Sequence, residues 1–327
     1  MAFSLLAKVQ EELRRKRTRS LVSKNTLWPS QASVVTRTGE IIGRCLRASF
    51  YSKTGESETN PVSDAVVAMG YMGTKIEDGL IDLLKNQGLW EANNIKWQAY
   101  GISGEVDVLI RTLDTTVNPP QERKYIVECK SCSGYYVNKE LFGYYEGVGS
   151  NRSYVKGKPK DKHLLQSILY AQVGRESGFE GTILFYVSRD ESKMTEFLIT
   201  VDDEGHIYIN GDLDPRFTVQ DILLRYNVLQ AAIDSSELPE RDYRPEYTDV
   251  EVEALYATKS ISKAANDNHK NRKALYCDTE CNYCEFKLLC LDQNVATVLK
   301  VVAPDPFELV KSDLLTEQPE YLKYMSM

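Results

Sequence analysis

Gly104-Glu105-Val106-Asp107 and Tyr125-Ile126-Val127-Glu128-Cys129-Lys130 decide the reading of this chain. Asp107, Glu128 and Lys130 sit at the ends of two apolar, β-prone runs, joined by a polar, proline-containing turn. Side chains alternate along a strand, so Glu128 and Lys130 point to one face. A hairpin partner can put Asp107 beside them. Two carboxylates can hold a hard divalent cation, with an ammonium next to it. Such a set is suited to activating water against a phosphodiester.

The flanking sequence supplies the layers around this hairpin. Ser63 reads as the N-cap of a helix running to Asn86, with Val66, Met69, Met72, Ile76, Leu80 and Leu83 at helical period. Strands are expected over 95–101, 104–111 and 124–130, then a long loop with some helix over 135–160. A helix over 162–176 is closed by Gly178. Strands follow over 181–188 and 195–201, with a short one over 206–209, and a helix over 217–234. Residues 3–19 read as an amphipathic helix with a basic end, Arg14-Arg15-Lys16-Arg17 and Arg19. Residues 20–40 read as polar loop, and 235–275, with Pro239 and Pro245, as an extended connector.

The chain has 327 residues, 42% of them hydrophobic, enough for one large domain or two modest ones. It has no run of eighteen apolar residues and no secretory start, so no membrane association and a cytoplasmic location are expected. The net charge of −7 argues against a protein coated in basic surface. It leaves room for local basic stripes, such as Arg152, Lys156, Lys158, Lys160 and Lys162 around Tyr154. No Gly-x-x-x-x-Gly-Lys-Ser/Thr loop occurs, so no ATPase engine is visible.

Four of the seven cysteines fall between 277 and 290. Cys281-x-x-Cys284-x-x-x-x-x-Cys290 is a close thiolate trio for zinc or an iron–sulfur cluster. A fourth ligand is required, and both Cys277 and Cys45 are candidates. Cys129 and Cys132 read as buried or spare thiols. None of His163, His206 and His269 has a ligand partner at short spacing, although His163 shares a helix with Gln166.

The order helix, three strands, helix, strand resembles the core of the PD-(D/E)xK nuclease superfamily, in its RecB-like branch. Four stretches carry the resemblance: Gly73-Thr74-Lys75-Ile76-Glu77, Gly104-x-x-Asp107, Glu128-x-Lys130 and Gln166-x-x-x-Tyr170. Gln166 and Tyr170, four apart, share one helix face, from which an amide and a phenol can hold a phosphate or the lysine. The resemblance implies an α/β fold with a central mixed sheet flanked by helices. It implies that Glu77, Asp107 and Glu128, with the backbone carbonyl of Cys129, ligate Mg²⁺ or Mn²⁺. Lys130 would position water or stabilise charge on the phosphate. Many members carry His in the Glu77 slot, so the departure here bears on metal preference.

The cysteine plan is similar to that of the CRISPR-associated RecB-like exonuclease family. One cysteine precedes the core, here Cys45-Leu46-Arg47, where a proline usually takes the place of Leu46. Three follow it. The resemblance therefore implies a [4Fe–4S] cluster on Cys45, Cys281, Cys284 and Cys290, stapling a helical region that joins the N- and C-terminal parts. The implied organisation is a basic arm over 1–40, a nuclease core over 41–235 and a connector with cysteine region over 236–327. The implied activity is a metal-dependent DNA nuclease, an exonuclease preferring single-stranded ends, with Tyr135, Tyr136, Tyr144, Tyr145 and Tyr154 available for stacking. The alternatives are a DNA- or partner-binding subunit of a helicase or CRISPR-adaptation complex, and a zinc-stapled restriction-type endonuclease.

Overall fold

The computed structural model describes residues 5–17, 26–147 and 152–292. In chain order, its elements begin with helix α1 (Leu5–Arg17), strands β1 (Ser33–Val35) and β2 (Ile41–Gly43), and helices α2 (Leu46–Thr54) and α3 (Asp64–Asn86). Strands β3 (Trp90–Ala99), β4 (Ile102–Asp114) and β5 (Gln121–Cys132) come next. Then follow α4 (Tyr135–Phe142), β6 (Tyr144–Glu146), β7 (Ser153–Val155) and α5 (Asp161–Glu176). The chain continues through β8 (Gly181–Ser188), β9 (Met194–Val201), β10 (Ile207–Ile209), β11 (Asp212–Asp214) and α6 (Val219–Ser235). Four short helices finish the described chain: α7 (Asp249–Ala257), α8 (Lys263–Lys270), α9 (Thr279–Asn282) and α10 (Lys287–Asp292).

These elements divide into two compact units. One holds residues 26–43 and 67–227; the other holds 5–17, 44–66 and 228–292. The stretch read as a single core, 41–235, contributes to both.

The first unit is an α/β layer structure. Seven strands form one mixed sheet in the order β11-β10-β9-β8-β5-β4-β3. All neighbours are antiparallel except β5 and β8, which run parallel. A parallel pair needs a crossover, and α5 lies within it. Val108, Ile110 and Val127 turn to one face and pack on Ile81, with Leu80 and Leu84 against the same cluster. The central position of β5 is why its run from Ile126 to Cys129 is buried on both faces.

α5 packs closely on the sheet. A Cβ at Gly174 would meet Ile126 Cδ1 at 2.8 Å, and on the separate β1–β2 ribbon one at Gly43 would meet Leu165 Cδ1 at 2.7 Å. Its buried Leu164, Leu165, Ile168 and Leu169 supply the contact.

The β3–β4 turn lies two residues earlier than the sequence suggests. Tyr100 and Gly101 both have positive φ, +53° and +70°. This is the two-residue hairpin geometry that matches strand twist, and it starts β4 at Ile102. β3 also extends back to Trp90 through an irregular register, because β4 offers it a long partner. The 135–160 stretch is more ordered than a loop: it forms α4 and the β6–β7 hairpin. Ser63 caps α3 as expected, its hydroxyl accepting from Val66 N at 3.4 Å.

The second unit corrects the reading of 235–275 as an extended connector. Thr248 and Glu251 form a reciprocal capping box that starts α7. Ser262 caps α8. His269 is fully buried, with Nε2 2.9 Å from Asp249 Oδ1 and Nδ1 accepting from Tyr276 N at 3.0 Å. The histidine therefore ties α8 to α7. α1 bears out the N-terminal helix, and Arg15 is paired with Glu12 at 2.8 Å. Arg19 and the residues after 292 lie outside the described residues. Among the described residues no helix is long and apolar enough to cross a membrane.

Leu184, on β8 beside β5, is fully buried. Leu184→Ala should cost about 2–5 kcal/mol. Urea unfolding checks this as a lower midpoint at unchanged slope.

Candidate active site and cysteine cluster

The β4–β5 ladder ends at the pair Val108–Val127. Beyond it the Cys129 N–H has no strand partner on that side and donates to Asp107 Oδ2 at 2.8 Å. On its other edge β5 stays paired with β8 through Cys132. Asp107 thus takes the ladder's place, and this draws its carboxylate to Glu128 and Lys130.

Glu128 is 1% exposed. Its Oε1 accepts from Lys130 Nζ and from Gln166 Nε2, the latter at 2.8 Å. Its Oε2 is buried without a hydrogen-bond donor among the described residues. Burial pushes the Glu128 carboxyl up, the Lys130 ammonium pulls it down, and Asp107 and Glu77 push it up again. Asp107 is raised in the same way, by burial, with Lys130 and the Cys129 N–H opposing. Lys130 is held in its charged form by the acids against the cost of burial.

Glu77 approaches from α3. A Cβ at Gly73 would lie 3.3 Å from Ser131 Oγ, so the helix passes close to the end of β5 there. One turn later Glu77 is half-buried, and its carboxyl is pushed up to about 7 by burial and by Asp107. The structure therefore brings Glu77, Asp107, Glu128 and Lys130 into one electrostatic neighbourhood. Three acids facing one ammonium leave a deficit of positive charge, and the orphaned Oε2 needs a cation or a shared proton. Hard carboxylate oxygens suit Mg²⁺ or Mn²⁺.

Gln166 and Tyr170 lie one turn apart on α5. The Gln166 amide also donates to Tyr170 Oη at 2.9 Å, and Tyr170 donates to the Glu105 carbonyl at 3.0 Å. Gln166 therefore grips the carboxylate, and the buried Tyr170 braces β4. The Cys129 side chain is buried, and burial holds its thiol protonated at about 12. Cys132 is also buried. His163 Nδ1 lies 2.9 Å from Tyr186 Oη. Burial, Lys130, Lys160 and Lys162 push its ring down to about 3, so it is neutral at ordinary pH.

Sequence reasoning missed Trp97 and Tyr186. The Trp97 indole stands edge-on to Tyr170 at 5.7 Å and against Gly104, where a Cβ would clash at 2.7 Å. Strand aromatics are so common in cores that no spacing flags them. It also missed Asp202 and Glu204, which with His206 form a trio of possible ligand atoms. There Asp202 accepts from His206 N at 2.8 Å and Tyr208 Oη at 3.1 Å, bonds that close the β9–β10 turn.

In the second unit the cysteines converge. Cys45 precedes α2, Cys281 lies in α9 and Cys290 in α10. The Cys281 thiol is pushed up by burial and by Cys45, Cys277, Cys284 and Cys290. Both candidates for a fourth ligand are therefore at hand. Cys290 Sγ accepts from Arg241 Nε at 3.2 Å, and Cys277 Sγ from Lys287 Nζ at 3.3 Å. Burial pushes Cys45 up to about 11. Soft thiols such as Cys45, Cys281 and Cys284, held protonated by burial, fit a group whose cationic charge would ionise them.

The surrounding backbone is pinned. Arg44 pairs with Glu285, and Asn60 Nδ2 donates to Cys284 O at 3.0 Å. Thr59 N and Asn60 N donate to Glu285 O at 2.9 and 2.8 Å.

No family model and no curated protein matches the chain. The solved crystal structure of SSO0001 resembles it at 14% identity and a TM-score of 0.41, over 88% of this chain and 96% of that one. A likeness at that score carries no argument.

Glu77 gives a pH test. Its folded carboxyl, raised from 4.5 to about 7, binds its proton more tightly than the unfolded one. Its contribution to stability is present below the unfolded value and is lost as pH rises through the folded one. In chelator, the melting temperature of the wild type should fall more steeply than that of Glu77→Gln between about pH 4.5 and 7. Added Mg²⁺ or Mn²⁺ should flatten that fall. Equal slopes for the two proteins would contradict the assignment.

Proposed function

We propose that this chain is a metal-dependent deoxyribonuclease of the RecB-like branch of the PD-(D/E)xK superfamily, hydrolysing phosphodiester bonds as an exonuclease on single-stranded ends. The observation that carries the reading is the buried Glu128 carboxylate, held by Lys130 and Gln166 beside Asp107, with one oxygen left without a donor.

Asp107, Glu128 and the Cys129 carbonyl would hold a Mg²⁺ or Mn²⁺ ion, with Glu77 at its edge. When bound, the cation supplies Lewis-acid polarisation of the phosphate and neutralises charge on it. Lys130 orients the attacking water and stabilises negative charge developing on the phosphate oxygens. Water would add to phosphorus as the bond to the leaving sugar oxygen breaks; Glu77 would take the water's proton, and solvent would protonate the leaving oxygen. Gln166 keeps Glu128 aimed, and Tyr170 keeps Gln166 and β4 in register. His163, neutral beside Tyr186, lies near Lys130 without adding charge.

Cys45, Cys281, Cys284 and Cys290 would hold a [4Fe–4S] cluster in a structural role, with Cys277 next to them. Seven cysteines without a disulfide suit a reducing compartment, and we place the protein in the cytoplasm.

Lys130→Ala should lower cleavage of end-labelled DNA by about 10²–10³ while DNA binding survives. Chelator should stop the wild type, and Mg²⁺ or Mn²⁺ should restore it. No cleavage by a folded, iron-loaded wild type would replace the enzyme reading with a binding subunit that requires its partner.

Cys284→Ser should reduce bound iron and visible absorbance, and lower thermal stability more than Lys130→Ala does. Iron content and melting temperature equal to wild type would remove Cys284 from the cluster.

A further inference from the structure

We propose that Arg241 and Arg44 are positioning residues for the cysteine-bound group: each supplies a guanidinium N–H to its sulfurs, and together they set how firmly a [4Fe–4S] cluster is held and at what potential it is reduced. The proposal rests on the cluster reading above and assigns two residues that no cysteine spacing marks.

The segment that carries Arg241 is laced to the start of α2. The buried Arg47 donates through Nε to the Pro239 carbonyl at 2.7 Å. The Leu46 N–H donates to Asp242 Oδ2 at 2.6 Å. Arg241 stands in the chain between these two anchors and reaches α10. Its Nε donates to Cys290 Sγ at 3.2 Å, and its Nη2 donates to the Cys290 carbonyl. The segment 239–242 therefore joins the residues that follow Cys45 to Cys290 itself.

The bond to the carbonyl has an ordinary explanation, because a cation near the end of a helix answers its unpaired carbonyls. The bond to sulfur does not. A neutral thiol is a weak acceptor, so a guanidinium gains little from it. A thiolate on a metal carries negative charge, and hydrogen bonds to charged acceptors are roughly twice as strong as neutral ones. Arg241 is matched to the loaded sulfur rather than to the protonated one.

Arg44 immediately precedes Cys45. Its Nη2 is paired with Glu285, the residue after Cys284. Its Nε is buried and has no hydrogen-bond partner among the described residues. A buried donor without an acceptor costs the hydration it has lost. The same guanidinium acts on the next ligand: burial pushes the Cys284 thiol up, the Phe286 N–H pulls it down, Glu285 opposes and Arg44 assists. Arg44 thus stands by two of the four assigned cysteines with one donor to spare.

Charge gives both arginines a purpose. Four thiolates outweigh the positive charge of an iron–sulfide core, so the loaded site is negative, and reduction adds one electron more. Negative charge held out of water requires cations and donors close by. Of the neighbouring acids, Asp242 acts on Cys45 and Glu285 on Cys284. Lys287 donates to Cys277, outside the assigned set. Arg241 brings its charge to the Cys290 sulfur. Arg44, whose charge is shared with Glu285, brings its Nε–H. Net charge and hydrogen bonds to the sulfurs set the potential of such a cluster, and the partners of metal ligands set its retention.

The test uses the full chain, loaded anaerobically with iron and sulfide. It reads the rate of iron loss to a chelator and the midpoint potential by spectroelectrochemical titration. Arg241→Met removes donor and charge; it should release iron about tenfold faster and move the potential to a more negative value. Arg241→Lys keeps the charge and should recover part of both. Arg44→Lys keeps a partner for Glu285 but lacks the Nε donor, and it too should lower the potential. A brace acting only on the fold would lower the melting temperature of the iron-free chain and leave the potential in place. Potentials of all three variants equal to that of the wild type overturn the proposal while the cluster reading stands. A wild type that takes up zinc, or no metal, instead of iron and sulfide overturns both.

Discussion

A carboxylate buried in the middle of a β-sheet constrains everything around it. Removing a charge from water costs several kcal/mol unless partners replace the lost hydration. Glu128, on the central strand β5, is nearly without solvent contact. Its own strand provides Lys130 two residues on, at the same face. The second partner, Gln166, reaches it from α5, which lies tight on the sheet where Gly174 has no Cβ to hold it off Ile126. The packing of the crossover helix and the electrostatics of the carboxylate are therefore one design.

The charge balance extends the argument. Lys130 answers one negative charge, while Glu77, Asp107 and Glu128 offer three. In the absence of further positive charge the carboxyls are pushed toward their neutral forms. A sheet that spends buried positions on mutually repelling acids is arranged for something other than stability. The cysteine group repeats this logic with soft atoms. Burial and neighbouring sulfurs hold Cys281 protonated, while Arg241 and Lys287 donate to Cys290 and Cys277 and backbone N–H groups donate to Cys45 and Cys284. Oxygen donors gather in one unit and sulfur donors in the other, so each could take its own kind of cation without competition.

Local spacing made part of this legible. Glu128 and Lys130 had to share a face once β5 was read as a strand, and Gln166 and Tyr170 had to share one once α5 was read as a helix. What those side chains would touch was not legible. Gln166 could equally have met a phosphate or the lysine, and the structure gives it to Glu128. The β3–β4 turn was misplaced because Tyr100 is a poor advertisement for positive φ; only Gly101 signals it. The helices α7 and α8 were overlooked because Pro239, Pro245 and a high charge density suggest coil. Their caps, Thr248 with Glu251 and Ser262, carried the better information. The convergence of Cys45 with the C-terminal trio depends on tertiary packing, which no local spacing could provide.

That convergence raises the question of what holds the far-apart segments of the second unit together. The polar ties between them are real but individually modest. Arg44–Glu285 is partly exposed, and such pairs contribute about 0–1 kcal/mol. The hydrogen bonds from Asn60 and Thr59 to Glu285 and Cys284 contribute roughly 0.5–1.5 kcal/mol each. Tyr51 against Phe286, with ring centroids 5.5 Å apart, adds an apolar contact. Against these stands the entropy of closing a loop from position 45 to position 281, which grows only slowly with length. Ligand bonds from four thiolates to one metal group act on the same closure far more strongly than any of these ties. The hydrogen bonds orient the sulfurs; the sulfurs, once loaded, would carry the closure. The second unit is therefore the part of the molecule whose stability should depend most on what its cysteines hold.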